Sequence, residues 1–285
     1  MNLHLRNGGP SDAEACGSIC YEAFKNVAER HHFPFDFPSP AVAIEFLSVL
    51  FSRQDVFSVV AEVDGQIVGS NFLWENADIA GVGPITVNPA NQNRTVGRRL
   101  MEYVIERGRD DRFSGIRLVQ AAYHNRSLAL YSKLGFSARE PLSTMQGPAL
   151  NIGIPGHVVR PAGVGDLTGC NRLCLQVHGH DRKLELLDAI KQRTATVVER
   201  EGRIAGYTTL VGFFGHAVAE GNEDLKALIG AAPNFPGPGF LLPTCNSDLL
   251  HWCLENRLRV VQPMTLMSMG LYHEPQGAFL PSVLY

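Results

Sequence analysis

Apolar positions in the first half of the chain alternate between a period near two and a period near 3.6, so strands and helices are expected to interleave. Leu3 to Arg6 reads as a short strand. Ser11 or Asp12 is a plausible N-cap for a helix running to about Asn26. His31 to Pro40 (HHFPFDFPSP) carries too much proline for a regular element, and Ala41 to Phe51 resumes as a second helix. Val56 to Val63 and Gln66 to Asn76 flank an Asp-Gly pair, which predicts a hairpin. Ile79 to Val87 is a third strand broken by Gly81, Gly83 and Pro84. Thr95 to Gly108 is amphipathic and helical, Ile116 to Ala122 a strand, Ser127 to Leu134 a helix closed by Gly135, and a last strand follows. The order β-α-α-β-β-β-α-β-α-β predicts a mixed α/β (α+β) fold.

The pattern recurs. Arg6, Asp12, Cys16 and Cys20 return as Arg160, Asp166, Cys170 and Cys174, an offset of 154. DGQIVG (Asp64 to Gly69) returns as EGRIAG (Glu201 to Gly206), an offset of 137. Pro141-Leu-Ser-Thr-Met145 returns as Pro263-Met-Thr-Leu-Met267, an offset of 122. Three matches in one order, with shrinking offsets, imply a tandem duplication whose second copy has shorter connections. The Gly- and Pro-rich stretch Gln146 to Gly156 is the expected boundary, giving domains over 1–147 and 157–285.

The 285 residues are 45% hydrophobic and 19% charged, enough apolar material for a core, with a net charge of −3. The first 150 residues carry 14 basic and 16 acidic side chains, the rest 11 and 12. Neither half is basic, so nucleic acid and anionic membrane surfaces are not expected partners. No apolar run approaches a membrane span, and the segment MNLHLRNGGPSD lacks the apolar stretch of a secretory signal. Cys16/Cys20 and Cys170/Cys174 have helical spacing within apolar stretches and read as buried packing residues. A cytoplasmic chain with reduced thiols is expected, and no metal site.

The chemistry concentrates in Ile85 to Leu100, ITVNPANQNRTVGRRL, where a strand gives way to a polar loop and a helix. Unpaired N–H groups and the dipole at such a helix start suit phosphate, and Arg94, Arg98 and Arg99 add charge. A strand splayed at Gly81 to Pro84 would leave backbone groups beside Ile85 to Val87 for a peptide-like ligand. Further on stands Leu130-Tyr131-Ser-Lys-Leu-Gly135-Phe136. With Gln92-Asn-Arg-Thr-Val-Gly97, this segment resembles the GNAT superfamily of acyl-CoA-dependent N-acyltransferases. That family carries Q/R-x-x-G-x-G/A at its pyrophosphate loop and an LY-x-x-x-GF segment beyond it. The resemblance covers roughly residues 1–147. Thr95 replaces the family's first loop glycine, and His124 takes the usual Asn position, with Asn125 one place later. The second half lacks both motifs and looks like the degenerate copy of tandem-GNAT proteins, in which the other copy binds acyl-CoA.

The resemblance implies acetyl transfer from acetyl-CoA to a small-molecule primary amine, by direct attack on the thioester. It implies cofactor contacts from Ile85, Thr86, Val87, Gln92, Asn93, Arg94, Thr95, Val96, Gly97, Arg98, Asn125, Ser127 and Tyr131. It makes a backbone N–H on the splayed strand near Val87 the oxyanion donor and Tyr131 the acid that meets the departing thiolate. An ammonium group, with a pKa near 10, must first lose a proton. The candidates for that base are Glu75, Asp78, His124, the C-terminal carboxylate and a water relay. A different acyl group and a non-catalytic acyl-CoA sensor stay open, as does a homodimer. His31 and His32 read as a lid on the substrate side. His178, His180, Asp181, His216 and Glu220 read as loop residues or as a substrate-recognition cluster.

Overall fold

The structure is a computed structural model that describes all residues except Met1, Asn76, Ala77, Asn93, Arg94, Arg112 and Tyr285. Its first half contains β1 (Leu3–Asn7), α1 (Ala13–His31), α2 (Pro40–Ser52), β2 (Val56–Val63) and β3 (Gln66–Trp74). Then come β4 (Ile79–Val82), β5 (Thr86–Val87), α3 (Val96–Asp110), β6 (Gly115–Ala121), α4 (Asn125–Lys133) and β7 (Ser137–Gln146). The second half contains β8 (His157–Pro161), α5 (Leu167–His178), α6 (Lys183–Gln192), β9 (Thr196–Arg200), β10 (Arg203–Thr208) and β11 (Ala217–Ala219). It ends with α7 (Asn222–Ala231), β12 (Phe240–Pro243), α8 (Ser247–Glu255), β13 (Arg259–Gly270) and β14 (Ala278–Leu280).

The expected order holds, with two differences. Helix α1 runs past Asn26 to His31, because nothing interrupts its pattern until the Phe33-Pro34 pair, and the residue before a proline is pushed out of helical geometry. The third expected strand is two, β4 and β5, separated at Gly83 and Pro84.

The repeated residues make the same structure twice. The Arg6 guanidinium forks onto the Asp12 carboxylate at 2.8 Å on both arms and reaches Glu62 at 2.7 Å. Asp12 in turn accepts from the Gly9 N–H at 2.9 Å. Arg160 does the same with Asp166 (2.7 and 2.8 Å) and Glu199, and the Gly163 N–H donates to Asp166 at 2.8 Å. Each set pins the first strand of a copy to the start of its first helix. The Asp64-Gly65 and Glu201-Gly202 turns both take positive φ at both positions (49° and 80°, 54° and 74°), as a tight hairpin requires. Cys16, Cys20, Cys170 and Cys174 are fully buried beneath these helices.

The covalent boundary between the copies is not a boundary between sheets. The larger sheet runs β1-β2-β3-β4-β6-β13-β7-β12, with β5 on β3, and the smaller runs β14-β11-β10-β9-β8. Strand β13 of the second copy therefore sits between β6 and β7 of the first, while β7 pairs with β12 of the second. Leu142 lies opposite Met264, its own counterpart at the offset of 122. Equivalent residues facing each other across antiparallel strands mark a pseudo-twofold axis, the arrangement of an isologous dimer interface, here inside one chain. Each copy lends its last long strand to the other.

Candidate active site

Strand β4 pairs in parallel with β6 only from Ile79 to Gly81, opposite Gly115 to Arg117. Beyond Gly83 the chain swings towards β3, where Thr86 lies opposite Ser70 and Val87 opposite Gly69, and the Asn88 N–H bonds the Val68 carbonyl at 2.8 Å. The sheet opens between β5 and β6. Thr86 and Asn88 direct their backbone groups at β3, so by strand alternation those of Ile85 and Val87 face the opening. The Val87 carbonyl accepts there from Gln92 Nε2 at 3.2 Å, and Gln92 Oε1 accepts from Arg126 at 3.2 Å.

A cavity of about 380 Å³ fills this opening. At one end it meets the first turn of α3, where Thr95, Val96, Gly97 and Arg98 form the wall. Thr95 holds a left-handed φ of 65° and makes no side-chain cap, and the first turn carries no acidic residue. A Cβ built on Gly97 would meet nothing closer than Val87 Cγ2 at 3.7 Å and Leu130 Cδ2 at 3.9 Å. None of the described residues fills that space, so a ligand can approach the helix backbone closely. Arg98 and Arg126 supply positive charge at the same end. Ile85, Val87, Leu118 and Leu130 continue the wall. Tyr131 also lines the cavity, with little of its surface exposed, and burial pushes its phenol pKa up. Two buried polar atoms of wall residues, Thr86 Oγ1 and Gln120 Nε2, have no partner among the described residues.

The other end is aromatic and, among the described residues, holds one carboxylate, Asp36, from the Pro-rich loop between α1 and α2. Gln262 of β13 hydrogen-bonds that carboxylate and accepts from the Tyr123 hydroxyl at 3.4 Å. Burial raises the Asp36 pKa to about 6, against the Gln262 bond that lowers it. The fractional exposure of the residue is intermediate because its free face is the cavity itself. Phe33 stacks on Tyr123 at 4.0 Å and His31 packs on the same ring at 5.3 Å, which anchors the loop across the opening. His124 lines the cavity beside Tyr123, and burial, with Arg126, His31 and Arg30 nearby, keeps its imidazole neutral by lowering its pKa. The second copy contributes Phe213, Phe214, Gln262, Met264, Val283 and Leu284.

The expected site residues divide cleanly. Ile85, Thr86, Val87, Gln92, Thr95, Val96, Gly97, Arg98, Ser127, Tyr131 and His124 all meet at this cavity. Asn125 does not: it is exposed on the outer side of α4, one position beyond His124, which takes the inward place. Glu75 is corrected as well. Both arms of Arg107 hold it (2.9 and 3.4 Å), ten residues beyond Gly97 on α3 and so about 15 Å along the helix. Asp78 is exposed and also absent from the wall. Asn93, Arg94 and the carboxylate of Tyr285 lie outside the described residues. His178, His180 and His216 are buried in the second copy away from the cavity, held neutral by that burial, with His216 between Tyr207 and Glu185 at 3.2 Å each. Glu220 pairs with Arg200 and Arg203. Among the described residues no three His, Cys, Asp or Glu side chains gather as metal ligands, and no helix is long and apolar enough to cross a membrane.

The second copy differs where the first is open. Strand β14 lies against β11, from Ala217 opposite Leu280 to Ala219 opposite Ala278, on the edge where the first copy has its gap. Helix α7, the counterpart of α3, is capped by its own Asp224, which accepts from the Gly221 N–H at 3.0 Å, and Glu223 adds a second acid in the first turn. That helix start already holds an anion and repels another.

Residues 21–136 match the model of the acetyltransferase (GNAT) family. Over that segment the first copy is similar to GNAT acetyltransferases. Among solved structures, a putative acetyltransferase from Pyrococcus horikoshii superposes with a TM-score of 0.74 at 19% identity, over 97% of this chain and 94% of that one. A GCN5-related N-acetyltransferase from Sphaerobacter thermophilus gives 0.62 at 14% identity, over 95% and 96%. A tandem GNAT protein from the clavulanic acid biosynthesis pathway gives 0.58 at 14% identity, over 94% and 98%. At these identities the likeness establishes the fold. None of the curated proteins compared matches the chain.

Proposed function

We propose that this protein is a GNAT-type acetyltransferase that moves an acetyl group from acetyl-CoA to the primary amine of a small molecule, at one site per chain. Residues 1–147 hold the acyl donor, and 157–285 complete the acceptor side. The observation that carries the reading is the polarity of a single cavity. One end has a ligand-accessible helix start with Arg98 and Arg126, and the other has the Asp36 carboxylate. An anionic donor and a cationic acceptor enter such a cavity from opposite ends.

The residues present suit acetyl-CoA. The open space over Gly97 admits a pyrophosphate to the N–H groups of α3. Ile85 and Val87 offer strand-edge backbone groups to an amide-bearing arm, and the orphan Gln120 Nε2 offers a further donor. An incoming ammonium group hydrogen-bonds Asp36, which is largely ionised at neutral pH yet more basic than an ordinary carboxylate and takes the proton. The freed nitrogen lone pair forms the new C–N bond as the C–S bond breaks, and the second proton of that nitrogen passes through solvent to the departing thiolate, giving a neutral amide and CoA thiol. The Val87 N–H faces the opening, where it can donate to the acyl oxygen as negative charge develops. Tyr131 stays protonated and hydrogen-bonds the leaving sulfur. Its raised pKa lies well above the roughly 8.5 of a thiol, so full proton transfer is uphill and hydrogen bonding is its main contribution. Asp36 returns its proton to solvent. Asp36 thus takes the role first considered for Glu75.

Calorimetric titration with acetyl-CoA, followed by thiol release with a panel of amines, tests this reading. One equivalent bound and amine-dependent release of CoA support it. No binding at millimolar acetyl-CoA, or binding without turnover for any amine, refutes it, and the second result would favour a sensor.

A further inference from the structure

Five phenylalanines cross the acceptor end as one connected series. Phe24 of α1 meets Phe37 at 6.0 Å between ring centroids, and Phe37 meets Phe46 of α2 at 5.8 Å. Phe46 meets Phe214 of the second copy at 5.2 Å, and Phe214 meets Phe213 at 5.7 Å. All five line the cavity, and Tyr123 closes the far side. Phe24 and Phe46 are only partly buried, and Phe214 is 40% exposed although it lies in this apolar wall. Rings left uncovered inside a concave site are surface that an apolar ligand would cover. Asp36 is the only carboxylate among the described residues of the wall, which therefore offers a cationic centre one neutralising partner. Gln262 and Tyr123 already bond each other beside it, which leaves few polar groups for a hydroxylated or charged acceptor body.

We infer that the acceptor is a monoamine on a flat, apolar, ring-bearing carbon skeleton, an arylalkylamine, with its ammonium on Asp36 and its ring against the phenylalanine series. This rests on the function proposed above and names its substrate class. The wall is built jointly by α1, α2 and the loop after β10, so the acceptor site requires both copies, whereas the donor end is built by the first copy alone.

The test compares 2-phenylethylamine with putrescine, L-lysine and an aminoglycoside as acceptors, under saturating acetyl-CoA. The expected kcat/KM for the aryl amine exceeds the others by about 100-fold or more, since even one apolar group in a fitted pocket discriminates by about 10–200-fold. Phe214→Ala, at a partly exposed position, is expected to raise the KM for 2-phenylethylamine about 10-fold while acetyl-CoA binds with unchanged affinity. Equal or better transfer to putrescine, lysine or the aminoglycoside overturns this inference and leaves the acetyltransferase reading standing. Tighter binding of octanoyl-CoA than acetyl-CoA, in competition with 2-phenylethylamine, also overturns it, because the rings would then hold an acyl chain. Loss of acetyl-CoA binding itself is read by calorimetry before any amine is added and defeats the parent reading instead.

Discussion

Replacing Asp36 with Asn removes a charge and almost nothing else. The side chains have the same shape, and the Asn carbonyl can accept from Gln262 as the carboxylate does. The native carboxyl is raised from 3.8 to about 6 by burial. At 1.36 kcal/mol per pKa unit that is at most about 3 kcal/mol, an upper limit because one face of the group meets the cavity. The folded state holds this proton more tightly than the unfolded state. Below about pH 4 both states are protonated and the group costs nothing. As pH rises through 6 the unfolded chain ionises first and stability falls, and above 6 the full cost persists. Asp36→Asn should therefore match the native protein near pH 3.5 and exceed it at pH 8, by several degrees in melting temperature for a chain of this length. Cys20 and Tyr123, both near this charge, lose a group that raises their pKa values, and neither ionises in the window tested. Scanning calorimetry across pH 3.5–8 measures the difference. The same variant should lose most of its kcat/KM, together with any limb of the native pH–rate profile near 6. A variant less stable at pH 8, or one with an intact profile, would refute the assignment of Asp36 as a desolvated base.

Gly97→Ala should fold at least as stably as the native chain, since its Cβ finds ordinary contacts at 3.7 and 3.9 Å and alanine favours helix by about 1 kcal/mol. It should still weaken acetyl-CoA binding about 10-fold or more by calorimetry, and Gly97→Glu should abolish it; unchanged affinity would place the donor elsewhere. Tyr131→Phe should lower kcat by about 10–100-fold, the worth of one hydrogen bond to a charged group, with acetyl-CoA affinity preserved; an unchanged kcat at all pH values removes Tyr131 from the mechanism. Glu75→Gln should leave kcat unchanged and cost at most about 1 kcal/mol in denaturant unfolding, because its partner Arg107 is partly exposed.

Much of this site could be read along the chain because it is local. Thr95 to Gly97 and Tyr131 to Phe136 each lie at a helix end, where a few consecutive residues fix the geometry. The break at Gly83-Pro84 announced the splay between β5 and β6, because a residue without an N–H ends a strand ladder wherever it stands. Asp36 was legible only as an oddity, one carboxylate among Phe and Pro in HHFPFDFPSP. Its role depends on Gln262 and Tyr123, which lie far from it in sequence. Glu75 failed as a candidate for the converse reason: it stands near the right strand in sequence, but on the end of the sheet where Arg107 meets it.

Neighbouring residues along the chain specify the two copies, their Arg-Asp pins, their hairpins and the helix start that is open to an anion. These follow from short-range sterics, capping and periodicity, which adjacent residues dictate. Tertiary packing sets the exchange of β7 and β13 between the copies, the place of β14 along the edge of β11 where the first copy is open, and the assembly of one cavity wall from both halves. Strand pairing and cavity walls join residues more than a hundred positions apart. Their partners are chosen by which faces remain to be buried once the local elements have formed, and no window along the chain contains both sides of that choice.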